Sequence, residues 1–123
     1  LGVAWVGSLP PMLRDCIPQA ADLLVSRLDI ETVVVFGRVG STVDGSMRTL
    51  DPKVRPKELI ESALKLDEAG GRVSGGGREA KGGFRWVLDG QSADDIQQVR
   101  LHIQNAFLTS EAPRAAVPTT GSR

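Results

Sequence analysis

An uninterrupted run of β-branched and aromatic residues, Val33-Val34-Val35-Phe36, constrains the fold more than any other stretch of this chain. A strand with one face in water alternates apolar and polar residues, whereas a continuous apolar run is typical of an interior strand covered on both faces. Gly40-Ser41 can form a hairpin turn directly afterwards. The hairpin supplies an antiparallel pair and helical crossovers supply parallel neighbours, which predicts a single-domain α/β fold with a mixed sheet and flanking helices.

Apolar residues spaced three and four positions apart predict helices over residues 17–28, 57–66 and 92–107. Further strands are predicted over residues 3–6, 42–50 and 84–88, and Gly70-Gly71 is expected to cap the second helix. Residues 110–123 carry Pro, Ala and Thr without periodicity, so we expect a folded domain over residues 1–109 and a disordered tail after it.

The overall charge excludes any long-range attraction to nucleic acid or to anionic lipid, because 15 basic residues balance 15 acidic ones. Any affinity for nucleotides must therefore be local. The apolar runs are too short to cross a membrane, and the single cysteine excludes an internal disulfide and suits a reducing cytoplasm. The first residues lie inside an apolar run without an initiator Met, which favours a fragment of a larger protein.

A glycine-rich stretch over residues 75–83 is the main candidate for chemistry. Its backbone N–H groups lack shielding side chains, so an anion can approach them closely, and Arg78 and Lys81 supply counter-charge. On the strand over residues 42–50, Ser46 and Arg48 fall on the face opposite Val43 and Met47. From the residues alone, a flexible loop and a solvated arginine remain the alternative. The candidate phosphate-binding residues are Ser46, Arg48, Gly75, Gly76, Gly77 and Arg78.

Catalytic and metal-binding patterns are absent from the sequence. His102 is the only histidine and no cysteine or carboxylate cluster accompanies it, so we expect neither catalytic residues nor metal ligands. Cys16 is expected to be a small buried thiol, and Phe84 and Trp86 are expected in the core. The glycines precede a strand rather than a helix, which excludes a dinucleotide fingerprint, and no Walker loop is present.

The order of these elements resembles the DHH-associated domain, the C-terminal substrate-binding domain of DHH-family phosphoesterases, which include exopolyphosphatase relatives. Ser46-Met47-Arg48-Thr49 resembles the Ser-x-Arg-Ser motif of that family, and the three glycines resemble its Gly-Gly-Gly-His loop. Arg78 stands where the family has His, and Lys81 stands where it usually has Ala. The resemblance spans residues 3–107.

The resemblance implies a two-domain hydrolase whose absent N-terminal DHH catalytic domain holds divalent metal ions, usually manganese. This chain would then carry no cofactor, catalyse nothing alone, and hold the phosphate end of a phosphorylated small molecule or short oligonucleotide. With this resemblance we expect a cytoplasmic protein that does not contact a membrane, and a homodimer is compatible with it. Because arginine does not titrate near neutral pH, the alternative is a non-catalytic regulatory or oligomerisation module that kept the fold and lost the site.

Overall fold

The computed structural model describes residues 1–28, 30–89 and 93–110. Five strands and three α-helices alternate along this part of the chain, with short 3₁₀ turns at Pro11–Leu13 and Leu66–Glu68. The elements, in chain order, are β1 (Gly2–Leu9), α1 (Cys16–Arg27), β2 (Thr32–Val39), β3 (Thr42–Thr49), α2 (Pro56–Ala63), β4 (Val73–Arg78), β5 (Lys81–Val87) and α3 (Ala93–Leu108).

The strands form one mixed sheet in the order β1-β2-β3-β5-β4. β1 pairs with β2 in parallel, and every other neighbouring pair is antiparallel. The predicted α/β fold with a mixed sheet and flanking helices is therefore confirmed. The Val33-Val34-Val35-Phe36 run lies in β2, between β1 and β3, and all four side chains are buried as that run predicted.

Each face of the sheet carries its own hydrophobic core. On one face, α1 packs its apolar stripe against Val33, Val35 and Val39 of β2. On the other, α2 and α3 cover a larger core that contains Phe36, Phe84 and Phe107. The ring centroid of Phe84 lies 6.4 Å from that of Phe36 and 5.6 Å from that of Phe107. Phe84 therefore joins the sheet to α3, and its predicted place in the core is confirmed.

The helices cover the two faces unequally. On one face of the sheet, α1 packs against β2 and β3. On the opposite face, α2 packs against β4 and β5. A Cβ atom built on Gly75 would lie 2.8 Å from Cγ2 of Ile60 in α2, which shows how closely that helix approaches the sheet. Among the described residues, no helix covers β4 and β5 on the α1 side of the sheet. This open half of the sheet carries the candidate site.

The glycine-rich stretch is a hairpin rather than the predicted loop. Gly75, Gly76 and Gly77 belong to β4, Gly82 and Gly83 belong to β5, and a two-residue turn at positions 79–80 joins the strands. The composition suggested a loop because glycine is a poor strand former, yet the residues from Val73 to Arg78 pair in register with β5. A Cβ atom on Gly77 would lie 2.5 Å from the carbonyl oxygen of Lys81, so this close approach requires glycine.

Three smaller expectations differ from the structure or fall outside it. The second helix ends at Ala63, because Lys65 adopts a left-handed φ of 52°, and Gly70 and Gly71 lie in a later turn rather than at its cap. Cys16 is exposed at the first position of α1, not buried. The predicted tail over residues 110–123 lies outside the described residues apart from Ser110. Within the described residues, no helix is long and apolar enough to span a bilayer.

Candidate functional site

A row of small residues runs from β3, beside α1, onto the open half of the sheet. Ser46 of β3 lies opposite Gly83 of β5, and Gly83 lies opposite Gly76 of β4. A Cβ atom built on Gly76 would meet nothing within 4 Å, so the space above Gly76 is empty. We call the row Ser46–Gly83–Gly76 the glycine trough. A ligand can approach the backbone there more closely than over a strand with larger side chains.

A cationic row borders one side of the glycine trough. Arg48, Lys81 and Arg78 are register partners across β3, β5 and β4, two residues along each strand from the trough. The side chains of Lys81 and Arg78 are exposed, and neither forms an ion pair with another described residue. Two positive charges at this edge are therefore available to an incoming anion.

A second charged row, centred on Asp44, borders the other side. Arg85 of β5 donates two hydrogen bonds of 3.0 Å, from Nε to Oδ1 and from Nη2 to Oδ2 of Asp44. Arg14 places its Nε 3.4 Å from the same Oδ2, and the Thr42 hydroxyl donates to Oδ1 at 2.7 Å. Asp44 is 8% exposed, whereas the side chains of Arg85 and Arg14 are 47% and 37% exposed. One buried carboxylate thus orients two accessible guanidinium groups beside the trough.

Arg48 forms most of its contacts within the protein. Its Nε donates to Oδ1 of Asp22 in α1 at 2.6 Å, and its Nη1 donates to the backbone carbonyl of Met47 at 2.9 Å. The Arg48 side chain is only 13% exposed. It therefore links α1 to β3 and leaves less positive charge for a ligand than Lys81 or Arg78 does.

The Ser46 hydroxyl forms no hydrogen bond within the described ranges. The residue is 9% exposed and lines a concavity of about 390 Å³ between the start of α1 and the open sheet. Its oxygen is not among the fully buried unpaired atoms of the described residues, so the hydroxyl is accessible from this concavity. The concavity also borders Arg14, Asp15 and Arg85. Its chemistry suits a ligand that offers an anionic or polar oxygen to Ser46.

The residues predicted from sequence are brought together only in part. Ser46, Arg48 and Gly76 lie on the open face with Arg78 at its edge, whereas the Cβ directions of Gly75 and Gly77 lead toward Ile60 of α2 and the Lys81 backbone. Arg78 also borders a second concavity of about 720 Å³ beside the β4–β5 turn.

Sequence reasoning missed Arg14 and the pairing of Asp44 with Arg85. Asp44 lies two residues before Ser46 on the same face of β3, and that alternation was readable from the sequence. The register that places Arg85 opposite Asp44 could not be predicted from the sequence. Among the described residues, no group of three or more His, Cys, Asp or Glu side chains is placed to hold a metal ion.

Comparison with known proteins finds similarity both in sequence and in fold. No protein-family model matches the chain. An uncharacterized protein of Methanocaldococcus jannaschii is 36% identical over 64 residues, and the match covers 52% of this chain and 13% of that protein. The chain therefore spans a small part of that relative's length.

One solved structure with a similar fold is the C-Ala domain of alanyl-tRNA synthetase from Aquifex aeolicus. The two folds superpose with a TM-score of 0.52 and 17% sequence identity, over 82% of this chain and 89% of that domain. At this identity the match establishes the fold alone.

This match corrects the identification made from the sequence. The DHH-associated domain, the phosphoesterase function that it implied and the degenerate module offered as its alternative are all replaced by a likeness to a synthetase domain. The physical reason is that the order of strands and helices, on which the identification partly rested, constrains the fold but not the family, and the two short motifs added little specificity. One of these departs from its pattern at Arg78 and forms a strand instead of a loop. The chain has the fold of a C-Ala domain.

Proposed function

We propose that this chain is a nucleic-acid-binding module whose open sheet face binds the phosphate backbone of RNA. The observation that carries the proposal is the glycine trough, bordered by Lys81 and Arg78 on one side and by Arg85 and Arg14 on the other. The fold supports it, because the matching domain belongs to an enzyme that acts, by its name, on a tRNA.

The arrangement suits a chain of phosphates better than a single anion. The two charged rows are four residues apart along each strand, which is about 13 Å at roughly 3.3 Å per residue. That width leaves room for one sugar–phosphate strand over the small residues of the glycine trough, with cations on both sides. Guanidinium groups held by a carboxylate are already oriented, so less side-chain entropy is lost when they bind a phosphate.

A neutral chain can bind RNA if its charge is unevenly distributed. Arg14, Arg48, Arg78, Lys81 and Arg85 outnumber the carboxylates of Asp15, Asp22, Asp44 and Glu79 around this face, although the whole chain has a net charge of zero. Local charge acts only near the surface, since a Debye length is about 8 Å at physiological ionic strength. Binding is therefore expected to be weak and strongly dependent on salt.

The test is fluorescence anisotropy of a labelled tRNA transcript titrated with the protein, between about 50 and about 200 mM salt. We expect a Kd of about 1–100 µM at the lower salt, with log K falling against log salt at a slope of about −2 to −3. Lys81→Ala and Arg78→Ala should each weaken binding at every salt concentration and reduce the magnitude of that slope by about 1.

Lys65→Asn is the matched control for the two cation variants. It removes one positive charge on the α2 side of the sheet, and asparagine tolerates the left-handed φ of 52° at this position. We expect this variant to bind the tRNA as the unmodified protein does. Equal losses of tRNA affinity in Lys65→Asn and Lys81→Ala would show that overall charge drives binding and would contradict the proposed surface. If the protein does not bind tRNA at low salt, the proposed function is wrong.

A further inference from the structure

All aromatic side chains of the chain lie away from the glycine trough. The sequence contains two Trp, three Phe and no Tyr. Three are buried in the core beneath α2 and α3, and the other two pack against that same core. The aromatic residues, in order, are Trp5, Phe36, Phe84, Trp86 and Phe107. The open face therefore has no aromatic surface on which a base could stack.

This absence separates two kinds of RNA ligand. Proteins that bind single strands usually combine a basic groove with aromatic side chains, and each stacked base adds substantially to affinity. Double-helical RNA hides its bases and is bound mainly through phosphates, 2′-hydroxyls and helix shape. A face with cations, small residues and no aromatic ring can contact the backbone of double-helical RNA but offers no stacking surface to the bases of a single strand.

The Ser46 hydroxyl is an independent indication that the trough can receive a polar oxygen. It lines the concavity of about 390 Å³ and has no hydrogen-bond partner among the residues that the structure describes. Because the hydroxyl is not fully enclosed, it can donate to a phosphate or 2′-hydroxyl oxygen in the trough. Asp44, two residues away on β3, is not a partner for the Ser46 hydroxyl. Its carboxylate oxygens already accept hydrogen bonds from Arg85 and Thr42 and lie close to Arg14.

We infer that the glycine trough binds double-helical RNA through its sugar–phosphate backbone, with little dependence on base sequence, and that Ser46 donates a hydrogen bond to a backbone oxygen. This inference rests on the proposed function and names its ligand. The charged rows neutralise phosphates on either side of the trough, and the glycines allow one strand of the duplex to approach the sheet.

The experiment compares three fluorescent RNAs by anisotropy at low salt. Two are hairpins with stems of about 16 base pairs in which every base pair is exchanged, and the third is an oligouridylate with the same number of phosphates. We expect both hairpins to bind within about threefold of each other and at least about tenfold more tightly than the oligouridylate.

Ser46→Ala supplies the test of the hydroxyl. It should weaken binding of both hairpins by about three- to tenfold, the loss of one hydrogen bond, without lowering thermal stability. Ser62→Ala is the matched control, since this exposed serine lies in α2 on the opposite side of the sheet, and it should leave binding unchanged.

The outcomes separate this inference from the function on which it rests. Oligouridylate binding as tight as hairpin binding, or a preference above about tenfold between the two hairpins, would overturn the inference while RNA binding stands. Unchanged hairpin binding by Ser46→Ala would overturn the role of its hydroxyl. If none of the three RNAs binds, the proposed function itself fails.

Discussion

Asp44 and Arg85 lie directly opposite each other on β3 and β5 and are joined by two hydrogen bonds of 3.0 Å each. The same carboxylate lies 3.4 Å from Arg14, so one negative charge serves two positive ones. The contact therefore has two effects. It stabilises the pairing of neighbouring strands, and it withholds part of the positive charge of the open face from a ligand.

Asp44→Asn separates these two effects. Removing the carboxylate charge frees both guanidinium groups, and this gain in positive charge outweighs their lost orientation, so we expect RNA to bind more tightly at low salt, by about three- to tenfold. The same change should lower the free energy of unfolding by about 1–2 kcal/mol, because charge-assisted hydrogen bonds at a buried position are lost. Anisotropy and urea denaturation measure the two quantities.

The control for Asp44→Asn is Asp67→Asn. Asp67 is exposed in the 3₁₀ turn after α2, and its substitution changes the net charge equally. An equal gain in RNA affinity in both variants would show that net charge acts rather than release of Arg85 and Arg14.

Gly76→Val should uncouple stability from binding. A Cβ atom at Gly76 meets nothing within 4 Å, so valine fits the strand, and its β propensity should raise stability by about 0.5–1 kcal/mol. The same side chain fills the glycine trough, and RNA affinity should fall by at least about tenfold. Thermal denaturation and anisotropy check the opposite signs. Unimpaired binding would show that RNA does not enter the trough.

Arg48→Met tests whether Arg48 serves the fold or the ligand. Methionine keeps the apolar stem but loses the 2.6 Å contact to Asp22, so we expect a loss of about 1 kcal/mol, modest because Asp22 is 54% exposed. RNA affinity should change by less than about twofold. The control, Arg27→Met at the exposed end of α1, should change neither quantity. A fall in affinity as large as that of Lys81→Ala would instead place Arg48 in the binding surface.

Gly45→Ala should be among the most damaging single changes to the fold. An added Cβ atom would lie 2.1 Å from the ring of Phe84, which is held between Phe36 and Phe107 and cannot move aside. Overpacking of this kind is expected to cost about 2–3 kcal/mol by urea denaturation. Phe84→Leu in the same chain should recover part of that loss, and simple additivity of the two substitutions would argue against direct contact.

The sequence by itself determined the elements and their layering. The unbroken run from Val33 to Phe36 required cover on both faces, and the alternation on β3 placed Ser46 and Arg48 on one face and Val43 and Met47 on the other. These are local properties, because the period of a strand or helix fixes which side chains share a face. The three helices and four of the five strands accordingly overlap their predicted ranges, whereas β4 was predicted as part of a loop.

Only the tertiary structure decided which residues meet across the sheet. The register that sets Asp44 opposite Arg85 and Ser46 opposite Gly83 joins segments about forty residues apart, and no local pattern encodes it. The glycine stretch is typical of a loop because glycine is flexible. In the fold it forms β4, which pairs with β5, and β5 pairs in turn with β3, so the stretch becomes the edge of the sheet. Whether Arg48 was free or bound to Asp22 likewise depended on where α1 packs. Composition and spacing supplied the charges of the open face, and long-range packing arranged them around an uncovered trough.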